Sequence, residues 1–201
     1  MTTINDLPVF TDLDERPIIF DSGDMGKVVI IDRQWKLVAK VLDNAFRTTP
    51  YNILPHHIAD LQGEYRVQRF FYEHAISVPK PIGVFAIPLP RAYPDHPLLP
   101  ALIMERVDGN DYCLIDSPEK RSYAQSLFRS EREKVQALGA RLADHSHNLN
   151  VLYELKKARA VLIDFGRPPR MELESTETWL EPTVESFFGL PDLTAEGKVR
   201  S

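Results

Sequence analysis

The sequence predicts an α+β protein in which a five-stranded antiparallel sheet with one helix is followed by a reduced helical part carrying a hairpin. Three observations lead there: short Val- and Ile-rich runs between Pro17 and Leu42, a change to helical spacing from about Leu54, and strand-like runs again at 82–87 and 101–107. A chain of 201 residues, 43% hydrophobic and 26% charged, can bury one core or two small lobes. The division is expected at residue 109, giving segments 1–109 and 110–201.

In order, Pro17 to Phe20, Lys27 to Asp32 and Lys36 to Leu42 are separated by turn residues and read as an antiparallel meander. From Leu54 to Ala75, Leu61, Tyr65, Gln68, Phe71 and Ala75 fall at helical spacing, with Val67 and Phe70 widening the apolar face. Ile82 to Ile87 and Ala101 to Val107 complete the sheet. They are joined by a stretch, Pro79 to Pro100, that holds seven of the sixteen prolines. Ser117-Pro118-Glu119 has the chemistry of a helix start, and Ser130-Glu131-Arg132-Glu133 reads as a capping box, so 117–146 is expected to hold two helices or one broken helix. Val151 to Tyr153 and Ala160 to Ile163 flank Lys-Lys-Ala-Arg as a hairpin. Beyond 167 the chain is polar and proline-interrupted, with the cluster Trp179, Leu180, Phe187, Phe188 and Leu190 expected to pack back as a helix.

Several classes of function are set aside by composition. The net charge is −5 and the basic residues are scattered, so a nucleic-acid partner is not expected. No run approaches the roughly 18 apolar residues of a membrane helix, and the first residues lack the pattern of a secretory signal, so no membrane partner is expected. Cys113 is the only cysteine, which forbids an internal disulfide and a Cys-based zinc site and fits a reducing, cytoplasmic setting. His56-His57 reads as surface. The pair His145-Ser146-His147 has no third ligand spaced for zinc.

The residues that suggest chemistry lie at strand ends and turns. Val161-Leu162-Ile163-Asp164-Phe165-Gly166 releases a carboxylate at the end of an apolar strand, a placement suited to holding Mg²⁺ against phosphates; a plain turn is the other reading. Ser22-Gly23-Asp24-Met25-Gly26-Lys27-Val28 sets Gly23, Gly26 and Val28 where a loop covering phosphates would want them, or where a hairpin would turn. Lys40 sits on the otherwise apolar run Leu37 to Val41. It needs an anion, for which Glu64 on the following helix is the candidate, unless it lies on an open edge facing water. Met104-Glu105-Arg106-Val107-Asp108-Gly109 ends a strand, and its Glu105 and Val107 backbone groups could meet an adenine ring.

Taken in this order, the glycine loop, strand lysine, helix glutamate, strand-to-linker segment and Asp-Phe-Gly resemble the protein-kinase-like superfamily over residues from about 18 to 166. The run Val78-Pro79-Lys80-Pro81-Ile82-Gly83 is similar to its small and atypical branches: aminoglycoside phosphotransferases, RIO kinases and the KEOPS-associated kinase. The resemblance implies a two-lobed fold with ATP and Mg²⁺ as cofactors. It implies that Lys40 grips the α/β-phosphates, that Glu64 fixes Lys40, and that Asn150 and Asp164 hold Mg²⁺.

The chain departs from that pattern in its catalytic loop, which in these families reads approximately His-Gly-Asp-x-His-x-x-Asn. With Asn150 as the metal asparagine, 14 residues before Asp164, His147 matches the loop histidine, His145 takes the place of the catalytic aspartate and Asp144 lies one residue early. A second alignment makes Leu138 to His145 the end of the preceding helix, with the loop deleted. Only 35 residues follow Gly166, so the large substrate lobe of an ordinary protein kinase is not expected. Two functions remain: a phosphotransferase moving the γ-phosphoryl of ATP to a hydroxyl of a protein or small molecule, positioned by Asp144 or His145, and a pseudokinase-type module that acts by binding a partner.

Overall fold

The computed structural model describes residues 2–11, 13, 18–22, 27–31, 34, 36–41, 54–88, 98–140 and 150–165. They fall into two compact units, one within Met1–Glu73, Val78–Asp108 and Asp164–Gly166, the other within His74–Ser77 and Gly109–Ile163.

The first unit is built on β1 (Ile18–Ser22), β2 (Lys27–Ile30), β3 (Leu37–Val41), β4 (Pro81–Ile87) and β5 (Leu99–Glu105), with helix α1 (Leu54–Glu73) between β3 and β4. The strands are antiparallel in the order β1-β2-β3-β5-β4. Because successive side chains point to opposite faces, the pattern of each strand assigns its residues to a layer. Ile30, Val38, Leu102 and Met104 meet Leu61 of α1 on one face. Val29, Ile31, Ala39, Val41, Ile87, Leu99, Ala101 and Ile103 pack on the other, together with Phe10, Leu13, Leu37 and Phe85. Leu99 through Met104 are all buried, as a strand covered on both faces must be. Pro81, near the start of the proline-rich stretch, is the first residue of β4, which lies at the sheet edge, where a missing N–H is tolerated.

Residues 2–11 form a further piece of this unit that periodicity did not signal. A 3₁₀ turn at Ile4–Asp6 is closed by Asp6, whose carboxylate accepts from the Thr3 N–H at 2.7 Å and the Thr3 hydroxyl at 2.8 Å. The chain then runs parallel to β4. Ala86 N–H donates to the Pro8 carbonyl at 2.9 Å, and Phe10 N–H donates to the Ala86 carbonyl at 3.0 Å.

In the second unit, helix α2 (Pro118–Ala137) packs against a hairpin of β6 (Val151–Glu154) and β7 (Arg159–Leu162). Its start follows the sequence expectation: Ser117 is the N-cap, its Oγ accepts from the Lys120 N–H at 3.2 Å, and Pro118 opens the first turn. Two expectations for 117–146 need correction. The helix runs without a break through Ser130 to Glu133, so that capping box does not begin a second helix. It also stops at Ala137 rather than running on to His145. Gly139 is left-handed at φ 75°, its N–H donates to the Gln136 carbonyl at 2.9 Å, and Ala140 N–H reaches back to Val135 at 3.3 Å. This pair of bonds closes the orphan carbonyls of the last turn and turns the chain away.

Candidate functional site

Lys40 is the residue around which a site is organised. Strand β3 lies between β2 and β5, so the open-edge reading of Lys40 is excluded: Val28 is opposite it on one side and Leu102 on the other. Its even position puts it on the layer that carries Val38 and faces α1. A lysine there is 12% exposed and cannot stay charged without partners.

Two carboxylates supply them. Lys40 Nζ donates to both oxygens of Glu64, each at 2.9 Å, and to Asp164 Oδ1 at 2.5 Å. Glu64, on α1, is 3% exposed; it also accepts the Phe165 N–H through Oε1 at 3.2 Å. One glutamate thus holds the strand lysine and the backbone after Asp164. Asp164 itself is 46% exposed, so the cluster is closed at its base and open at its rim. Burial pulls the Lys40 ammonium toward its neutral form, but the charges and hydrogen bonds of Glu64 and Asp164 outweigh it and hold Lys40 above the ordinary lysine value. It remains a cation throughout the neutral range.

The backbone and core around this group fix its geometry. Asp164 has φ 61°, a left-handed conformation that a short polar residue tolerates better than most. The next residue, Phe165, is buried and meets the ring of Phe71, two turns of α1 beyond Glu64, edge-on at 5.5 Å. Gln68, one turn after Glu64, is buried; its side-chain amide donates to the Pro79 carbonyl at 2.7 Å and lies 3.6 Å from the Met104 sulfur. A polar residue in the apolar stripe of α1 therefore ties the helix to the chain that leaves it and to the end of β5.

Lys40, Glu64 and Asp164 are thus brought together, with Val28 beside Lys40. Glu105 and Val107 lie at and just beyond the end of β5, about 10 Å along the strand from Leu102, the partner of Lys40. The chain is anchored there, Glu105 N–H donating to Lys80 and Arg106 N–H to Lys36, at 2.9 and 2.7 Å. Glu105 lines a separate open hollow of about 380 Å³ with Lys36, Leu37, Lys80, Ile82, Arg106 and Asp108. Asn150 belongs to the second unit, where it precedes β6 with φ 58° and its carbonyl accepts the Ile163 N–H at 2.9 Å. Gly23, Gly26, Asp144 and His145 lie outside the described residues, as does His147. His57 is half-buried rather than fully on the surface, and Cys113 is an exposed free thiol.

Among the described residues no three or more His, Cys, Asp or Glu side chains stand together as a metal cluster. Asp164 nonetheless fits Mg²⁺ in donor type: it is a hard, half-exposed carboxylate, and Mg²⁺ is commonly held by one or two carboxylates together with phosphate oxygens and water. Among the described residues no helix is long and apolar enough to cross a membrane.

Neither a family model nor a curated protein matches the chain. Solved structures similar to it include the following two. The Rio2 kinase of Chaetomium thermophilum, solved as an ADP/Mg²⁺-phosphoaspartate complex, is 16% identical over 80% of this chain and 48% of its own, with a TM-score of 0.49. Rv3197 of Mycobacterium tuberculosis, solved in complex with erythromycin, is 17% identical over 78% of this chain and 46% of its own, with a TM-score of 0.46. The chain spans about half the length of either protein. At these values the two likenesses assign no family, ligand, activity or residue role to this chain.

Proposed function

We propose that this chain is a kinase-like protein that binds ATP with Mg²⁺ at the Lys40–Glu64–Asp164 cluster. The observation that carries the reading is the position of Lys40 Nζ, shared between a buried glutamate and a half-exposed aspartate. A buried ammonium held by a deep carboxylate is oriented and charged before any ligand arrives, so no reorganisation is needed when an anion meets it. Lys40 would take phosphate oxygens while Glu64 keeps its side chain extended and holds the backbone at Phe165. Asp164, at the rim, is the carboxylate suited to the metal. Bound Mg²⁺ would supply neutralisation of phosphate charge.

Transfer of the γ-phosphoryl group to a hydroxyl would further require an acceptor-side group, the role the resemblance gives to Asp144 or His145. A second reading, binding without turnover, is favoured by one sequence feature. Kinase catalytic loops place aspartate five residues before asparagine, whereas Asp144 stands six before Asn150.

Thermal-shift titration with ATP, ADP and Mg²⁺ tests the proposal. The parent protein should be stabilised by ATP in a Mg²⁺-dependent manner, and Asp164→Asn should lose the Mg²⁺ dependence while its unliganded melting temperature stays close to that of the parent. Equal ATP–Mg²⁺ stabilisation of parent and variant would sink the metal assignment, and no stabilisation of the parent by any nucleotide would sink the proposal.

A further inference from the structure

We infer that the N-terminal segment, residues 2–11, is a positioning element for Glu64, bracing helix α1 against the sheet edge so that the Lys40–Glu64 pair stays closed. The inference rests on reading that pair as the phosphate anchor, and it starts from where the segment's apolar side chains go.

On the α1 face, Leu7 is buried with Ile58 of the helix and Ala86 of β4, and Ile4, Val84 and Leu98 pack against the same group. The backbone then bonds to Ala86 on both sides, through Pro8 and Phe10, and Val9 makes a parallel bridge to it. Phe10 reaches the opposite layer of the sheet, where its ring meets Phe85 edge-on at 5.6 Å. The segment therefore passes round the β4 edge, with one anchor on each face and hydrogen bonds between them. It covers backbone groups that an edge strand would otherwise present.

What this does for the site follows from the geometry of α1. Leu61 and Tyr65 seat the middle of the helix on Ile30, Val38, Leu102 and Met104. Ile58 is the contact nearer its start, and its partners in that cluster are Leu7 and Ala86. Glu64 lies six residues on, about 9 Å along the axis, on the same rigid helix. The turns after Glu64 are held by Gln68 and Phe71 and the middle by Leu61 and Tyr65, so Ile58 is the contact that holds the turns before Glu64. Release of Ile58 loosens that end of α1, which moves the Glu64 carboxylate relative to a lysine fixed on a central strand. Leu7 is thus a positioning residue that acts through Ile58 and α1, with Phe10 anchoring the segment from the far face.

The test needs no nucleotide and so stands or falls apart from the ATP titration. In protein carrying ¹³C-labelled lysine, the Lys40 ε-carbon signal, identified by its loss in Lys40→Met, is recorded at one neutral pH as a reporter of the closed pair. Glu64→Gln should shift it. Leu7→Ala should shift it part of the way, the other lysines should not move, and Leu7→Ile should restore it. If Leu7→Ala fails to fold, Ile4→Ala provides the same comparison at a partly exposed position. A Lys40 signal unchanged in the folded Leu7 or Ile4 variant, while Glu64→Gln moves it, overturns the brace. A signal that Glu64→Gln does not move overturns the pair itself, and the brace with it.

Discussion

Two buried glutamates, one in each unit, are neutralised in different ways. Glu154, at the end of β6, is 4% exposed at its side chain and pairs with Lys157 at 2.6 Å and Arg159 at 3.3 Å. Its cations are within five residues of it in the chain and are themselves well exposed. Glu64 is as deeply buried, but its cation is buried too and comes from a strand 24 residues earlier, and the third member, Asp164, comes from 124 residues after Lys40. The first arrangement neutralises an acid locally within a hairpin. The second gathers charge from three distant segments of the chain into the interior and leaves one carboxylate at the surface. A fold has little reason to bury a lysine in a central strand when a Val or Met would pack there at lower desolvation cost. Long-range assembly around a buried cation is what distinguishes a candidate site from an architectural ion pair.

The contrast predicts unequal responses to mutation. Glu64→Ala removes the deep partner of a buried ammonium and should destabilise the protein by about 3 kcal/mol, the lower part of the range for breaking a buried pair, because Asp164 remains. Lys157→Ala removes an exposed cation while Arg159 still pairs with Glu154, and should cost less than about 1 kcal/mol. Denaturant unfolding of both variants checks the difference; similar losses would erase the distinction between the two glutamates.

A smaller effect concerns pH. Because Lys40 is held above its ordinary value in the folded chain, its stabilising contribution is full below the unfolded value of about 10.4 and is lost as pH rises through the higher folded one. The difference in melting temperature between the parent and Lys40→Met should therefore be flat across neutral pH and change only in the strongly alkaline range. A change centred near neutral pH would contradict the assignment of Lys40 as a raised, charged group.

The parts of the molecule that could be read from sequence are those in which local pattern and tertiary role coincide. Lys40 stood out because a charge interrupts an apolar strand, and Glu64 because a helix follows at the right distance; both ended in the same cluster. Ser117-Pro118 marked a helix start because its chemistry is local. Ser130 to Glu133 misled for the opposite reason: the local pattern of a cap lies inside a helix that tertiary contacts continue. Glu131, within that pattern, is buried in α2, accepts the Ser77 N–H at 2.9 Å and pairs with Lys134 at 2.6 Å. Gly139 carried the signal for the true helix end, a glycine just past the last turn, but the apolar spacing of Leu138 and Leu142 suggested continuation. Residues 2–11 escaped notice because a segment that crosses from one face of a sheet to the other has neither a period of two nor one of 3.6. Ile4 and Leu7, three apart, and the adjacent Val9 and Phe10 were its only marks.

If Lys40 and Glu64 are buried for a ligand rather than for the fold, the double variant Lys40→Met/Glu64→Leu will keep the fold and lose the ligand. Replacing both charges with apolar groups removes their desolvation cost together with their attraction, so stability should stay within about 1–2 kcal/mol of the parent or rise. Calorimetric titration of this folded double variant with ATP and Mg²⁺ should show no binding where the parent binds. Binding of equal affinity in the double variant and the parent would show that the buried pair does not serve the nucleotide.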